Sequence, residues 1–280
     1  MKKIITYLIL VIFIIAGILY FLTRVPAVQD ALFQRLAQNL ISTSPNIFPE
    51  EDSLSALVCG SKSPLPHPTR AETCVMIKAG EETFIFDVGN KSIDNLRNWR
   101  VPLNQLNSIF ISHLHSDHIA ELPEIHMWNW IGTGRQSKLK VYGPEGINQV
   151  LNGFTEAFSL DWKYRNDHHG DKFAPLKAAG FDGYEITDFS EPVYESNGIV
   201  ITAFLVDHKP IDPSLAFKIE YKGRSIVLSG DTIYSEAILN NSKNVDVLFH
   251  EAFHKGTLDM MYNALPENSS SRIAIVDIQN

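Results

Sequence analysis

Hydrophobic and polar positions divide the chain into three stretches. No charged residue interrupts the apolar run from Ile4 to Leu22, which reaches the length of about 20 residues that a helix needs to cross a bilayer. Val28, Leu32, Leu36 and Leu40 then recur every four positions with polar residues between them, predicting an amphipathic helix over 28–41. The polar stretch from Ser42 to Ser53, with Pro45 and Pro49, reads as a linker. Beyond it, short apolar segments at 54–58, 74–77, 83–86, 108–111, 138–142, 199–206, 216–221, 225–228 and 245–249 read as strands. Helices are expected at 119–130, 145–158 and 235–241, with Pro144 suited to a helix's opening position. The pattern predicts an α+β sandwich of two mostly antiparallel sheets with helices outside. The stretch 160–197 shows no clear period and reads as a long loop, which inside a compact domain is often functional. The organisation is thus 1–23, a signal anchor or transmembrane helix; 24–53, amphipathic helix and linker; and 54–280, one catalytic-sized domain.

Composition narrows the partners. A net charge of −8 and a pI near 5.7 leave no broad basic surface for a phosphate backbone. Lys2-Lys3 ahead of the apolar run favour a cytoplasmic N-terminus, with the rest of the chain exported to the periplasm or the extracellular side of the inner or plasma membrane. A cleaved signal peptide would have a shorter apolar core and a small-x-small site, which Val25-Pro26-Ala27 imitates poorly. Cys59 and Cys74 are the two cysteines. They form either a disulfide across two neighbouring strands or two buried thiols, and the exported placement favours the disulfide.

The chemistry concentrates in His113-Leu114-His115-Ser116-Asp117-His118. Alternate residues of an extended segment point the same way, so His113 and His115 can share a metal while Asp117 and His118 on the following turn face a second. Imidazole with carboxylate suits zinc, and manganese or iron can also be held. Three later polar groups each follow an apolar strand: His208, Asp231 in Ser-Gly-Asp-Thr, and His250-Glu251. Singly, His208 could be a loop histidine and Asp231 a helix N-cap. As a series at strand ends they converge on one rim. His168 and His169 are either polar loop residues or substrate contacts.

These motifs resemble the ribonuclease Z branch of the metallo-β-lactamase superfamily over about residues 54–256. Cys59-Gly60-Ser61 through Pro68-Thr69-Arg70 is similar to its opening Gly-rich turn, and Phe86-Asp87-Val88-Gly89 to its Asp-x-Gly turn. The metal run with Leu122-Pro123, then Val141-Tyr142-Gly143-Pro144, Leu228-Ser229-Gly230-Asp231-Thr232 and His250-Glu251-Ala252 continue the series. The resemblance implies an αββα sandwich with His113, His115 and His208 on one metal, Asp117 and His118 on the other, and Asp231 bridging. It also implies a bridging hydroxide as nucleophile, His250 as proton donor, Glu251 orienting the network, and Asp87 holding the loops beneath.

Two features depart from that pattern. The branch carries one more histidine downstream of the His-Glu-Ala motif, whereas no histidine follows His254 and the chain stops in an apolar run at 273–278. The expectation is a C-terminally incomplete domain with one tight metal and a weakened second site, His254 being the alternative ligand. No Gly/Pro-rich basic arm is apparent either. The sequence therefore predicts a membrane-anchored metallohydrolase acting as a phosphodiesterase on a small-molecule ester. Cytoplasmic processing of the 3′ end of transfer RNA and an exported sulfatase- or lactonase-type activity are the alternatives; a homodimer is the expected assembly if it oligomerises.

Overall fold

The computed structural model describes residues 2–42, 47–49, 52–65, 67–269 and 272. The chain divides into two compact units, Met1–Pro45 and Asn46–Asn280. In the first, α1 spans Lys2–Leu22 and α2 spans Pro26–Ser42. The described side chains of α1 are exposed, and among the described residues no helix is long and apolar enough to cross a membrane.

The second unit is built on two sheets. One contains β1 (Leu54–Gly60), β2 (Cys74–Ala79), β3 (Glu82–Phe86), β4 (Leu106–Phe110), β5 (Leu139–Gly143) and β6 (Phe181–Glu185), in that order. The other runs β11 (Val247–Phe249), β10 (Arg224–Leu228), β9 (Ile211–Tyr221), β8 (Ile199–His208), β7 (Tyr194–Ser196). Alternation along β4 shows why the sheets stack. Ile109 faces one core and Phe110 the other, because successive strand side chains point to opposite faces. The core between the sheets is aromatic, with Phe110 stacked on Phe86 at 5.0 Å and on Tyr142 at 4.8 Å. The outer core lies under α3 (Ser92–Asn98), α5 (Leu122–Thr133) and α6 (Ile147–His169).

Four differences from the sequence reading have physical causes. The first sheet is mixed, because β3 through β6 pair in parallel; intervening helices give the chain the crossover length that parallel strands require. The stretch 160–197 is not one loop. α6 continues through Trp162 and Tyr164 to His169, held by Asp161–Arg165 and Lys163–Asp167 ion pairs one turn apart. β6 and β7 then follow in a segment too short and polar to show a period. The linker does not stay free of the domain: Phe48 is buried in the outer core, and Asp52 accepts hydrogen bonds from Tyr221 and Lys222. Finally, the helix after the histidine run is broken into α4 (Ser116–Ile119) and α5, with Pro123 opening the second piece. The C-terminal apolar run at 273–278 lies outside the described residues.

Strand direction sets where the chemistry lies. β4 ends three residues before His113, and β8 ends on His208. β8 and β10 are both antiparallel to β9, and β11 is parallel to β10. All three therefore run the same way, and their C-terminal ends bring His208, Asp231 and His250 to a single edge. The Leu215 N–H donates to the Ser112 carbonyl at 2.9 Å, joining the sheets beside the histidine run.

Candidate metal centre

The histidine run is positioned from below by Asp87. This residue takes a left-handed conformation, φ 59°, unusual outside glycine, and its carboxylate faces the chain ahead. It accepts from the Ser112 N–H and hydroxyl and from His118 Nδ1, each at 2.8 Å. An acceptor on Nδ1 leaves His118 Nε2 as the outward nitrogen, the usual way an outer carboxylate aims a ligating imidazole. Val88 N–H donates to the His118 carbonyl at 2.8 Å. The close approach at Gly89 is obligatory, since a Cβ there would sit 2.1 Å from the Asp117 carbonyl oxygen.

Two groups of ligand atoms converge, each within 4.8 Å: His113 with His115 and His208, and His113 with His118 and Asp231. His113 Nε2 lies 2.9 Å from His115 Nδ1, and His208 Nε2 lies 3.4 Å from that same Nδ1. His118 Nε2 is buried without a hydrogen-bond partner among the described residues, where carboxylate oxygens lie 3.4 Å away on Asp231 and 3.7 Å on Asp117. A buried polar atom without a partner is costly. Imidazole nitrogens converging with a carboxylate form the donor set of a transition-metal site, so these residues fit a cation.

The electrostatics of His113 and His208 agree with ligand use. Burial, then the neighbouring His118, push His113 down to about 2, so its imidazole is neutral. Burial likewise lowers His208. For His118 burial opposes the charged form, yet the Asp87 and Asp231 carboxylates hold it well above the ordinary value. Burial raises Asp117, whereas for Asp231 burial is outweighed by His118, which holds its carboxyl low.

The remaining candidate residues divide. Gly230, at φ 59°, packs so tightly that a Cβ would lie 2.5 Å from the Leu215 carbonyl oxygen, and this turn presents Asp231. Glu251 belongs to the cluster's surroundings: its carboxylate accepts from Thr232 N–H, next to Asp231, and burial followed by Asp231 pushes it up to about 7. His250 is exposed and its Nδ1 donates to the Glu251 carbonyl at 2.7 Å. His254 caps α8 (Lys255–Ala264) by accepting from Thr257 N–H at 3.2 Å, so it is engaged in helix capping. His168 and His169 lie on the exposed last turn of α6, against each other at 4.7 Å. Cys59 and Cys74 are joined in a buried disulfide. Sequence reading passed over the buried Lys62–Glu72 ion pair, 2.6 Å, whose Glu72 also accepts from Asn90 N–H beside the Asp87 turn. It also passed over Glu121, which accepts from the Lys91 and Ile93 N–H groups at the start of α3. Neither carboxylate sits in a motif; both are legible only once the turns have folded.

A histidine and aspartate centre at the strand-end rim of this sandwich defines a metal-dependent hydrolase of the metallo-β-lactamase superfamily, in its ribonuclease Z-like branch. The chain belongs to the family described as Anti-Pycsar protein Apyc1, whose model matches residues 58–278. It is 31% identical to Ribonuclease Z of Mycobacterium bovis (strain BCG / Pasteur 1173P2) over 204 residues, 72% of this chain and 71% of that one. With Ribonuclease Z of Mycolicibacterium gilvum (strain PYR-GCK) it shares 29% over 210 residues, 74% and 72% of the two chains. Among solved structures, human tRNase Z, short form, superposes with a TM-score of 0.56 at 20% identity, covering 79% of this chain and 88% of that one. The metallo-β-lactamase fold protein YhfI from Bacillus subtilis gives 0.53 at 19% identity, covering 70% of each chain.

Proposed function

We propose that the hydrolase cleaves a phosphodiester, with His113, His115 and His208 holding one cation, Asp117 and His118 a second, and Asp231 shared between them. The observation that carries this reading is the pair of ligand groups meeting at His113. Zinc is the metal of choice for this donor set, with manganese or iron as substitutes. When bound, two such cations lower the pKa of water and stabilise both the attacking and the leaving oxygen of an in-line displacement. The chain's own residues do the rest. Asp87 orients His118; Glu251 fixes the Thr232 turn beside Asp231; His250, exposed at the rim, donates a proton to the leaving oxygen.

A small phosphodiester is favoured over RNA by the charge of −8. The second reading is cleavage of RNA, favoured by the name of the relatives at 31% identity. Steady-state assay of small phosphodiester, sulfate-ester and lactone substrates beside a transfer-RNA precursor decides. Turnover of the small phosphodiester alone supports the proposal, and precursor cleavage alone replaces it. For the metal arrangement, one equivalent of tightly held zinc per chain and a weakly held second are expected in elemental analysis; two tightly held equivalents would refute the weakened second site.

The domain is further proposed to be held at a membrane by its N-terminal helix and exported. Among the described residues no helix is long and apolar enough to cross a membrane. The uncharged run Ile4–Leu22 taken whole supplies the length, and a buried disulfide suits an oxidising compartment. A periplasm-active reporter fused after Ile41 should give signal; silence there would reverse the placement.

A further inference from the structure

At the opposite ends of the strands from the metal centre, a cavity of about 470 Å³ opens where β4 and β5 begin, and Arg135 and Lys140 line it. No Asp or Glu is among its lining residues; the rest are neutral, chiefly amides and hydroxyls such as Asn104, Asn129 and Ser137. Arg135 is half-buried, and burial lowers its pKa. Its guanidinium donates only to neutral acceptors: Nε to the Ser137 carbonyl at 3.1 Å, Nη1 to the Leu106 carbonyl at 2.8 Å and to Asn129 Oδ1 at 3.0 Å, and Nη2 to the Asn107 carbonyl at 3.4 Å. One Nη2 hydrogen has no acceptor among the described residues. The ammonium of Lys140, half-buried on β5, makes neither a hydrogen bond nor an ion pair among the described residues. The nearby acids are committed elsewhere: Glu82 accepts from Tyr194, Asn107 and Asn197, Glu81 from Gln105, and Asp182 from Tyr184.

Arg135 and Lys140 line one polar cavity with no carboxylate among its lining residues, so neither finds there the pairing that offsets desolvation. Four hydrogen bonds give the Arg135 guanidinium a structural role at the strand starts, whereas the Lys140 ammonium on the same cavity has no such bond among the described residues, on a protein carrying net −8. We propose that this cavity is a second binding site for a phosphate-type oxyanion, inorganic phosphate or the phosphomonoester end of a small molecule. The free Nη2 hydrogen of Arg135 and the Lys140 ammonium would supply charge-assisted hydrogen bonds, and the surrounding amides and hydroxyls would fill the remaining donor positions. The site is separate from the hydrolytic centre, since β4 carries the cavity at its first residues and leads to the histidine run past its last.

The test is calorimetric titration of inorganic phosphate into the full-length, metal-loaded protein at constant ionic strength. A binding event is expected that Lys140→Gln weakens by at least about tenfold and Lys140→Arg recovers. The event should persist when the metal is stripped with a chelator. Should Lys140→Gln fail to fold, Ser137→Glu, which sets a carboxylate at the exposed rim, is expected to weaken binding equally. Phosphate binding that is unchanged in Lys140→Gln or Ser137→Glu, or that vanishes with the metal, overturns the proposal.

Discussion

The two sheets contribute to the metal centre unequally. The first supplies His113, Asp117 and His118, all buried, and the exposed His115, on a backbone held by Asp87, Ser112, Val88 and the Gly89 contact. The second supplies His208 and Asp231, the latter 25% exposed, together with the exposed His250, from turns that follow three separate strands. The first half is therefore a mostly buried cradle and the second a set of more exposed arms. Rigid positioning of ligands is what gives a metal site its affinity. The open side is where a substrate and its leaving group must enter.

Substitutions in the two halves should part accordingly. His118→Ala removes a ligand from the cradle and should cost several kcal/mol of transition-state stabilisation, about a thousandfold in kcat/KM, with loss of metal by elemental analysis. Equal loss from His208→Ala would erase the difference between the halves. Breaking the disulfide acts on the frame alone: Cys59→Ser opens a loop of sequence separation 15 and should lower the unfolding free energy by about 3 kcal/mol in urea.

Acid should also act on the frame, through His126 in the outer core. Its Nε2 accepts from Gly180 N–H at 2.8 Å. Burial pushes it from 6.5 down to about 4. Because the folded value lies below the unfolded one, this contribution is whole above pH 6.5 and is lost as the pH falls towards 4, about 3 kcal/mol in all. Urea unfolding of metal-stripped wild type and His126→Gln across that range should give a shallower slope for the variant; matching slopes would remove His126 from the account. Asp87→Asn leaves the ligands in place but weakens their orientation. A drop of about 10- to 100-fold in metal affinity is expected by competition with a chromophoric chelator. The smallest effect belongs to His168→Ala and His169→Ala, which should leave kcat/KM unchanged and move stability by no more than about 0.5 kcal/mol; a clear rise in KM would make them substrate contacts.

How much of this could be read beforehand follows the same division. The cradle is largely local in sequence: six consecutive residues at the end of an apolar strand announce it, and the Asp87 turn follows the neighbouring strand β3. The arms are legible only as punctuation after strands, because β8, β10 and β11 must first align before His208 and Asp231 meet His113. Parallel pairing in the first sheet could not be told from antiparallel by period, since both give alternation of two. α6 was hidden beyond residue 158 by its polar face. Its buried positions Ile147, Leu151 and Trp162 are too sparse to fix a helical stripe, and ion pairs along the exposed side carry the extension. The cavity between Arg135 and Lys140 left no mark at all, because its residues come from the segments around two strand starts and signify nothing until those lie side by side.

Hydrolysis of bis(p-nitrophenyl) phosphate by chelator-treated protein, with zinc or manganese added back, tests the central claim most directly when wild type is compared with His115→Ala. The account expects activity that returns with metal in the wild type and is absent from the variant. Activity that survives His115→Ala, or that persists undiminished without metal, would contradict it.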